Sequence, residues 1–300
     1  MKYIVGYTAD RGGKLALNLA CNIAYAARTH EDPVEVDLVM VVRNQSPFTA
    51  VYPSADPLGY EEILDTTLRG WADEALAMVP EGIKARVLIR AADSEAEGII
   101  AAAEEVGARM IVVAPRAHGL GGSLGSVANA LLHSSPVPVM LAVPQSTPDD
   151  PTGPGPSRVT AFVGTKDGAE AVAHMAAVTA QHHHLPVRIV SLLELDGSRD
   201  DADQLAEARE LIEEIAGRTT LGSEVIVAHG ASLDEAISHV EWRPHEIALL
   251  GSARMGGRRL FLGSTAHKVL RVTPVPVVVV PRDYSAAAAA RIENQGGQAS

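Results

Sequence analysis

The sequence predicts an α/β protein of two tandem doubly wound domains, each a five-stranded parallel sheet of order 3-2-1-4-5 with helices on both faces. Two observations predict this class. Short runs rich in β-branched residues alternate with longer segments of helical apolar periodicity, and the whole succession occurs twice along 300 residues. Because each crossover helix must carry the chain back across one face of the sheet, the strands that it connects are parallel.

The repeat is clearest at the end of each half. Segments 124–126 and 262–264 both read Leu-Gly-Ser, and each begins an amphipathic helical segment. Pro-Val-Pro-Val follows both at the same spacing, from Pro136 and from Pro274. Val277 to Val280 is then an all-β-branched run that fits one fully buried strand. Matched motifs at matched offsets indicate two copies of one loop, helix and strand unit.

The elements of the first half follow from apolar periodicity and from the turn residues between the periodic segments. The predicted strands are Tyr3 to Tyr7, Val34 to Val42, Lys84 to Ile89, Met110 to Ala114 and Val139 to Val143. The predicted helices are those of Leu15 to Ala27, of Glu61 to Met78, of the segment capped by Asp93, and of the segment from Gly125. The apolar positions predicted on the buried face of the second helix are Ile63, Leu64, Leu68, Trp71 and Leu76. Residues 43–60, rich in Pro and Ser, predict a mobile loop.

The second half repeats this order after a Pro- and Gly-rich segment without apolar periodicity, which predicts a semi-stiff linker. The predicted strands are Val159 to Gly164, Val187 to Leu193, Glu224 to Ala228, Ile247 to Leu250 and Val277 to Val280. The predicted helices are Ala169 to Ala180, Ala202 to Ala216, Leu233 to Val240 and the segment after Gly263. We therefore place the first domain at 1–145, the linker at 146–157, the second domain at 158–283 and a flexible tail at 284–300.

Composition narrows the classes of function. A formal net charge of −12 disfavours a general nucleic-acid binder, which needs a basic face to displace counterions. The single cysteine, Cys21, lies in an apolar-periodic segment and is predicted to act as a buried small hydrophobe. The sequence has no apolar run of about 18 residues and no leader-like segment, so we expect no membrane partner and a cytoplasmic protein.

Two patterns invite a catalytic or metal-binding interpretation. Residues 121–125 fit Gly-x-Ser-x-Gly, but Ser123 follows its strand by several residues, whereas a nucleophilic serine stands directly at the strand end. His182 to His184 are adjacent, and neighbours on a helix point about 100° apart, so we expect a solvated helix end. We therefore predict no catalytic residue and no metal ligand.

A ligand crevice is predicted where the strand order reverses. The loop after the first strand, at Thr8, and the loops after the fourth strands, from Ala114 and from Gly251, flank that point in the predicted sheets. The Gly-Ser pair at the following helix start has two interpretations. Ser caps the helix, or the first-turn N–H groups hold a phosphate, and the residue pattern alone leaves both open.

With these residues in place, the chain resembles a tandem universal stress protein, with two copies in one polypeptide of the kind common in actinobacteria. The resemblance spans Lys2 to about Arg282. It rests on the Gly-Ser helix starts, their Pro-Val-Pro-Val ends, and the Val-Gly-Tyr and Val-Gly-Thr that close the first strands. It implies an intramolecular domain pair joined along the last strands and, in some members, ATP held by Gly-x2-Gly-x9-Gly-Ser/Thr. A homodimer is a further assembly that the resemblance admits.

The resemblance also assigns candidate cofactor-binding residues. Those of the second half are Lys166, Leu193, Gly251, Arg254, Gly263, Ser264 and Thr265. Those of the first half are Thr8, Val41, Gly125 and Ser126. Backbone N–H groups at the Gly-Ser helix starts would face phosphates, and Arg254 would add positive charge. The loop that ends at Gly125 is the shorter one, and Ala114 stands where the family has its first glycine, so the second half is the predicted nucleotide site.

The sequence thus predicts a non-enzymatic universal stress response protein, with ATP or another adenine nucleotide bound in the second domain. The alternative is an interaction or scaffold protein of the same fold that binds no nucleotide. A third hypothesis, a slow ATP hydrolase or an esterase, needs a general base at the loop, and the sequence gives no confident candidate for one.

Overall fold

The computed structural model describes residues 1–44, 57–115, 124–164, 169–197, 200–218, 223–254, 260–261, 264–281 and 284. The elements of the first half are β1 (Lys2–Gly6), α1 (Arg11–Ala26), β2 (Glu35–Arg43), α2 (Pro57–Ala77), β3 (Ala85–Ala92), α3 (Glu95–Glu105), β4 (Met110–Val113), α4 (Ser126–Ser134) and β5 (Val139–Leu141). Those of the second half are β6 (Arg158–Phe162), α5 (Ala169–His183), β7 (Val187–Glu194), α6 (Asp201–Arg218), β8 (Ser223–Gly230), α7 (Leu233–Ser238), β9 (Glu246–Gly251), β10 (Ala253–Arg254), β11 (Leu260–Phe261), α8 (Ser264–Val272) and β12 (Val277–Val280).

Ten of the strands form one sheet in the order β3-β2-β1-β4-β5-β12-β9-β6-β7-β8. The halves join where β5 and β12 run antiparallel, with Val139 opposite Val279 and Leu141 opposite Val277. Within this sheet the strand pairs of each half are parallel. Strands β10 and β11 form a separate antiparallel pair. Each half therefore has the predicted order 3-2-1-4-5, and the two last strands pair as the family resemblance implies.

Helices cover both faces of this sheet, and successive strand residues point to opposite faces. On one face, α1, α2, α5 and α6 pack over a core that includes Tyr3 and Val5 of β1. On the other face, α3, α4, α7 and α8 pack over a core that includes Ile4. No helix in the described part of the chain combines the length and the apolar composition needed to cross a membrane.

Cys21 lies in the first of these cores, as predicted, and is fully buried on α1. Burial raises the pKa of its thiol to about 12, so only about 10⁻⁴ of it is thiolate at pH 8. We expect a thiol reagent such as dithionitrobenzoate to leave the native chain unmodified at pH 8 and to modify one thiol per chain in urea. Rapid labelling of the native chain would contradict the packing of α1.

The predicted linker packs along α1. The side-chain amide of Asn22, itself buried, donates towards the carbonyl oxygens of Pro151 at 3.3 Å, Gly153 at 3.4 Å and Pro154 at 3.2 Å. A Cβ on Gly155 would lie 2.4 Å from the Cβ of Ala26, so glycine permits this close approach. The connection between the halves is therefore held by the first half, rather than crossing open solvent.

Four local predictions differ from the structure. Trp71 and Leu76 of α2 are 42% and 38% exposed, because the buried stripe of this helix runs through Leu68 and Ala75, and both residues lie beside it. Ser94 rather than Asp93 caps α3, since the Ser94 hydroxyl accepts a hydrogen bond from the Glu97 amide. Helix α2 already begins at Pro57, inside the predicted loop, and residues 45–56 of that loop lie outside the described part. Tyr284, predicted to begin the tail, is 6% exposed and packs in the core, while residues 285–300 are not described.

A buried ionic network joins the amino ends of the second-half strands. The carboxylate of Glu246 on β9 accepts from Arg158 of β6 at 2.8 Å and from Arg188 of β7 at 2.6 Å. The hydroxyl of Thr160 donates to the same carboxylate and accepts from the Arg188 Nε at 3.0 Å. Burial lowers the pKa of Arg188, and Glu246 opposes that shift. All these charges are buried, so each depends on the others for solvation.

Glu246→Gln removes the negative partner that Arg158 and Arg188 share, and we expect it to lower the free energy of unfolding by about 3–5 kcal/mol. The control is Glu224→Gln. Its carboxylate is half exposed and meets Arg158 at 3.0 Å, so we expect a loss of about 0–1 kcal/mol. Urea unfolding followed by circular dichroism measures both variants. If both variants lose the same free energy of unfolding, burial does not set the strength of these ion pairs.

Candidate functional site

A crevice opens at the carboxyl ends of β1 and β4, where the strand order of the first half reverses. The space between its walls is about 690 Å³, a figure that includes the open mouth. The residues that line it come from β1, β2 and β4, from the loops after them, and from α1, α3 and α4. They are Gly6, Tyr7, Thr8, Asp10, Gly12, Gly13, Val39, Val41, Glu95, Ile99, Val113, Ala114, Leu124, Gly125, Ser126, Val127 and Ala128.

The structure brings together the four residues that the sequence assigned in the first half. Thr8, Val41, Gly125 and Ser126 all line this crevice, although they come from three separate segments of the chain. Whether they bind a nucleotide stays a prediction. Their common location in one crevice is what a shared ligand site requires.

Helices α1, α3 and α4 direct their N-termini towards the crevice, and they differ in their N-cap residues. Asp10 caps α1 by accepting a hydrogen bond from the Gly13 amide at 2.9 Å. Ser94 caps α3, whose first turn also carries Glu95. Helix α4 has Gly125 at its N-cap, so no side chain caps it, and Ser126 already lies inside the helix. The interpretation of the Gly-Ser pair as a serine cap is therefore wrong for α4. Among the three helices, α4 is the one whose first turn is suited to an anion.

Val41 offers backbone hydrogen-bonding groups to the crevice. The last pair between β1 and β2 is Gly6 with Val39, whose carbonyl oxygen accepts from the Tyr7 amide at 2.9 Å. In a parallel strand, alternate residues direct their N–H and C=O groups to the same side, so Val41 points the same way as Val39. Since β1 has ended there, the N–H and C=O of Val41 face the crevice that this residue lines.

The loop between β1 and α1 is shaped by a close backbone contact. A Cβ on Gly13 would lie 1.9 Å from the carbonyl oxygen of Thr8, a distance that no side chain tolerates. Asp10, Gly13 and Glu95 also line the crevice, although they were not predicted there from the sequence. An aspartate three residues before a glycine at a helix start is a capping signal that could have identified the first two.

Gly13→Ala must displace Thr8, and we expect it to lower the free energy of unfolding by about 1–3 kcal/mol through overpacking. Gly12→Ala is the matched control, because its Cβ would meet side-chain atoms at ordinary or slightly short distances, Asp10 Oδ1 at 3.3 Å and Ala114 Cβ at 3.7 Å. We expect Gly12→Ala to lower the free energy of unfolding by less than Gly13→Ala does, as measured by urea unfolding of both variants. A loss at Gly12 equal to or larger than that at Gly13 would contradict the contact.

The predicted site of the second half lies partly outside the described residues. Lys166 and Gly263 are not described, Ser264 and Thr265 begin α8, and Arg254 lies on β10, which pairs with β11. Gly251 ends β9 opposite Val280. For these last four residues the structure gives the position in the fold, and their role in binding stays a prediction.

Leu193 lies on β7, and the amide of Leu195, two residues further on, donates to the Gly230 carbonyl of β8 at 2.9 Å, so the backbone groups of Leu193 also point to β8 and away from β6. The carbonyl of Val190 accepts from the Val163 amide of the loop after β6, as Val39 accepts from Tyr7 in the first half. Two residues further along, Leu192 therefore occupies the position equivalent to Val41. The backbone groups of Leu192, the neighbour of the predicted residue, therefore point to the side of β6, and the role of Leu193 in binding stays a prediction.

This geometry defines the class: a doubly wound α/β protein with a ligand crevice at the reversal of strand order. The profile of the universal stress protein family matches residues 3–143 and 157–281. The chain belongs to the universal stress protein family, with two copies of its domain in tandem. Membership of this family supports a role in the stress response.

Relatives and solved structures agree with this assignment. Universal stress protein Rv2319c of Mycobacterium tuberculosis is 28% identical over 300 residues, which cover 94% of this chain and 100% of that protein. A universal stress protein from Archaeoglobus fulgidus has a TM-score of 0.63 at 22% identity, covering 93% of this chain and 98% of its own. One from Pseudomonas aeruginosa has a TM-score of 0.55 at 18% identity, covering 99% and 97%. At these identities the two structures show the fold.

Proposed function

We propose that the chain is a non-enzymatic universal stress response protein that binds an adenine nucleotide, with ATP as the ligand to test. The observation that carries this proposal is the crevice of the first half, in which Thr8, Val41, Gly125 and Ser126 line one space of about 690 Å³. The second half, which the sequence pattern favours, is proposed to hold a nucleotide at the equivalent position.

The base is recognised by backbone. The N–H and C=O of Val41 offer one donor and one acceptor on the same side of β2, which suits the Watson–Crick edge of adenine, where an amino group donates and a ring nitrogen accepts. Apolar side chains of Val39 and Ile99 line the same crevice and can cover the faces of the ring.

The phosphates lie at the N-terminus of α4. This helix has nine residues and lacks a side-chain cap, so the amides of its first turn present partial positive charge to the crevice. Gly125 has φ of 78°, a conformation that favours glycine. Because glycine has no Cβ, a ligand can also approach its backbone closely. Asp10 and Ser94 already occupy the other two helix N-termini at this edge, which leaves α4 for the anion.

The test places a carboxylate where the phosphates are proposed to bind. Ser126→Asp should lower the affinity for ATP by at least about tenfold, because the new charge repels the phosphates and competes for the first-turn amides. An aspartate there also favours the helix, by about 0.3–1 kcal/mol, so unfolding does not explain a loss of binding. Ser264→Asp applies the same change to α8. Isothermal titration calorimetry with ATP measures each variant and the double variant.

Ser126→Ala is the matched control, and we expect it to bind ATP as the wild-type chain does, since the amides are unchanged. If only Ser264→Asp loses affinity, the nucleotide lies in the second half alone. Wild-type affinity in the double variant would sink the nucleotide part of the proposal. Release of phosphate from bound ATP above background would contradict the non-enzymatic part.

The alternative, an interaction protein of the same fold without a nucleotide, has one observation in its favour. Asp10 and Glu95 place two carboxylates in the wall of the crevice, and they weaken its attraction for a triphosphate. Mass spectrometry of the protein denatured directly after purification separates the two functions. Adenine nucleotide released from the chain supports the first, and calorimetry without ATP binding supports the second.

A further inference from the structure

Histidines from the two halves meet on one face of the sheet. His30 follows α1 in the first half, and His182 and His183 end α5 in the second. The ring centroids are 5.7 Å apart for His30 and His182, 6.0 Å for His30 and His183, and 4.8 Å for His182 and His183. The prediction of a solvated helix end is therefore wrong for His182 and His183, which are half-buried beneath the first half.

The three side chains offer one nitrogen each to a common point. These ligand atoms all lie within 4.8 Å of one another. In a tetrahedral zinc site with Zn–N bonds of about 2.0–2.1 Å, the nitrogens are about 3.4 Å apart, so small side-chain rotations complete the site. The 100° spacing of adjacent helical residues excludes three histidines of one helix. Here His30 supplies the third ligand in place of His184.

Each ring also has a buried nitrogen that finds no hydrogen-bond partner among the described residues. These atoms are Nδ1 of His30, Nε2 of His182 and Nδ1 of His183. A buried polar atom without a partner is costly, and three in one place need an explanation. A metal ion bound by the three rings would supply that partner.

Local backbone structure holds the rings in place. His184 has φ of 54°, and the amide of Leu185 bonds the carbonyl of Ala180 at 2.8 Å, so α5 ends abruptly at His183. The amide of His30 bonds the carbonyl of Ala27 at 3.0 Å in the turn after α1. Both helices thus present their C-terminal ends, which carry partial negative charge, near the cluster and favour a cation there.

His182 and His183 border a pocket between the halves, lined in addition by Tyr3, His174 and Tyr284. The space between its walls is about 460 Å³, including open solvent at its mouth. This pocket gives an ion a route to the rings and leaves room for a water molecule as a fourth ligand.

We propose that His30, His182 and His183 bind a divalent transition-metal ion that clamps the two halves of the chain together. Zinc is the probe, since three imidazoles and a water molecule match its preferred ligands and geometry. The site is independent of the proposed nucleotide crevice, because none of the three histidines lines that crevice.

The test uses the full chain without an affinity tag, whose imidazoles would bind metal themselves, after treatment with a chelator. We expect calorimetry to give one Zn²⁺ per chain, and a Co²⁺ titration to give the visible absorption of tetrahedral cobalt. His30→Gln and His183→Gln should each lower the affinity by about tenfold to a hundredfold. His174→Gln is the matched control, because His174 is exposed and borders the same pocket from the same helix but is not one of the three clustered residues, and we expect it to bind as the wild type.

A second readout tests the clamp itself. Zinc should raise the unfolding temperature of the wild-type chain and of His174→Gln, but not that of His30→Gln, because ion binding to the folded state adds to stability. Circular dichroism without metal establishes that each variant is folded, and His30, which lies outside any helix, carries the test if His183→Gln misfolds. Wild-type zinc affinity in His30→Gln would overturn the site. Bound zinc without a change in unfolding temperature would overturn the clamp.

Discussion

The antiparallel pairing of β5 with β12 is the constraint on which the rest of the structure depends. Val139, Leu141, Val277 and Val279 are all buried at this join. Each strand alone would be an apolar sheet edge with unpaired backbone groups, a template for aggregation. Pairing them satisfies both edges and makes one ten-stranded sheet, so α1 of one half and α5 of the other pack on a common face.

Polar groups gather at opposite strand ends in the two halves that this pairing joins. The first-half crevice lies at carboxyl ends of parallel strands, where helix N-termini gather and anions are stabilised. The charges of Arg158, Arg188 and Glu246 lie at amino ends of the second-half strands. They are buried against one another and hold neighbouring strands together. The polar groups at the carboxyl ends of the first-half strands thus line an open crevice. Those at the amino ends of the second-half strands hold strands together.

Regular elements could be predicted from the sequence because periodicity and turn residues are local signals. Val277 to Val280 is a strand within the bounds expected, and Met110 to Val113 differs from expectation by one residue. The buried face of α2 was harder to predict, because apolar character alone does not fix the rotation of a helix about its axis. Trp71 is apolar but lies next to the buried stripe of Leu68 and Ala75. That Thr8 lies near the loop ending at Gly125 and Ser126 followed from strand order, which a repeated α/β pattern determines well, whereas Val41 was assigned through the family resemblance.

Contacts between distant segments were beyond that reasoning. Nothing near His182 indicates that His30 will be its neighbour, since only the paired sheets bring them together. The linker carbonyls that Asn22 binds are likewise invisible in composition, because any residue supplies a carbonyl. The capping of α1 by Asp10 is a local signal that a closer look at the sequence could have used.

Helix α1 connects features that otherwise lie far apart. Gly12 and Gly13 at its start border the crevice, Asn22 in its middle carries the linker, and His30 follows its end. A helix of 16 residues transmits displacement as a rod, because its hydrogen bonds leave little internal freedom. Any ligand that shifts α1 therefore alters the geometry of the connection between the halves. If a ligand at the near end of this rod changes the affinity for the proposed ion at its far end, thermodynamic reciprocity requires the ion to change the affinity for that ligand by the same factor.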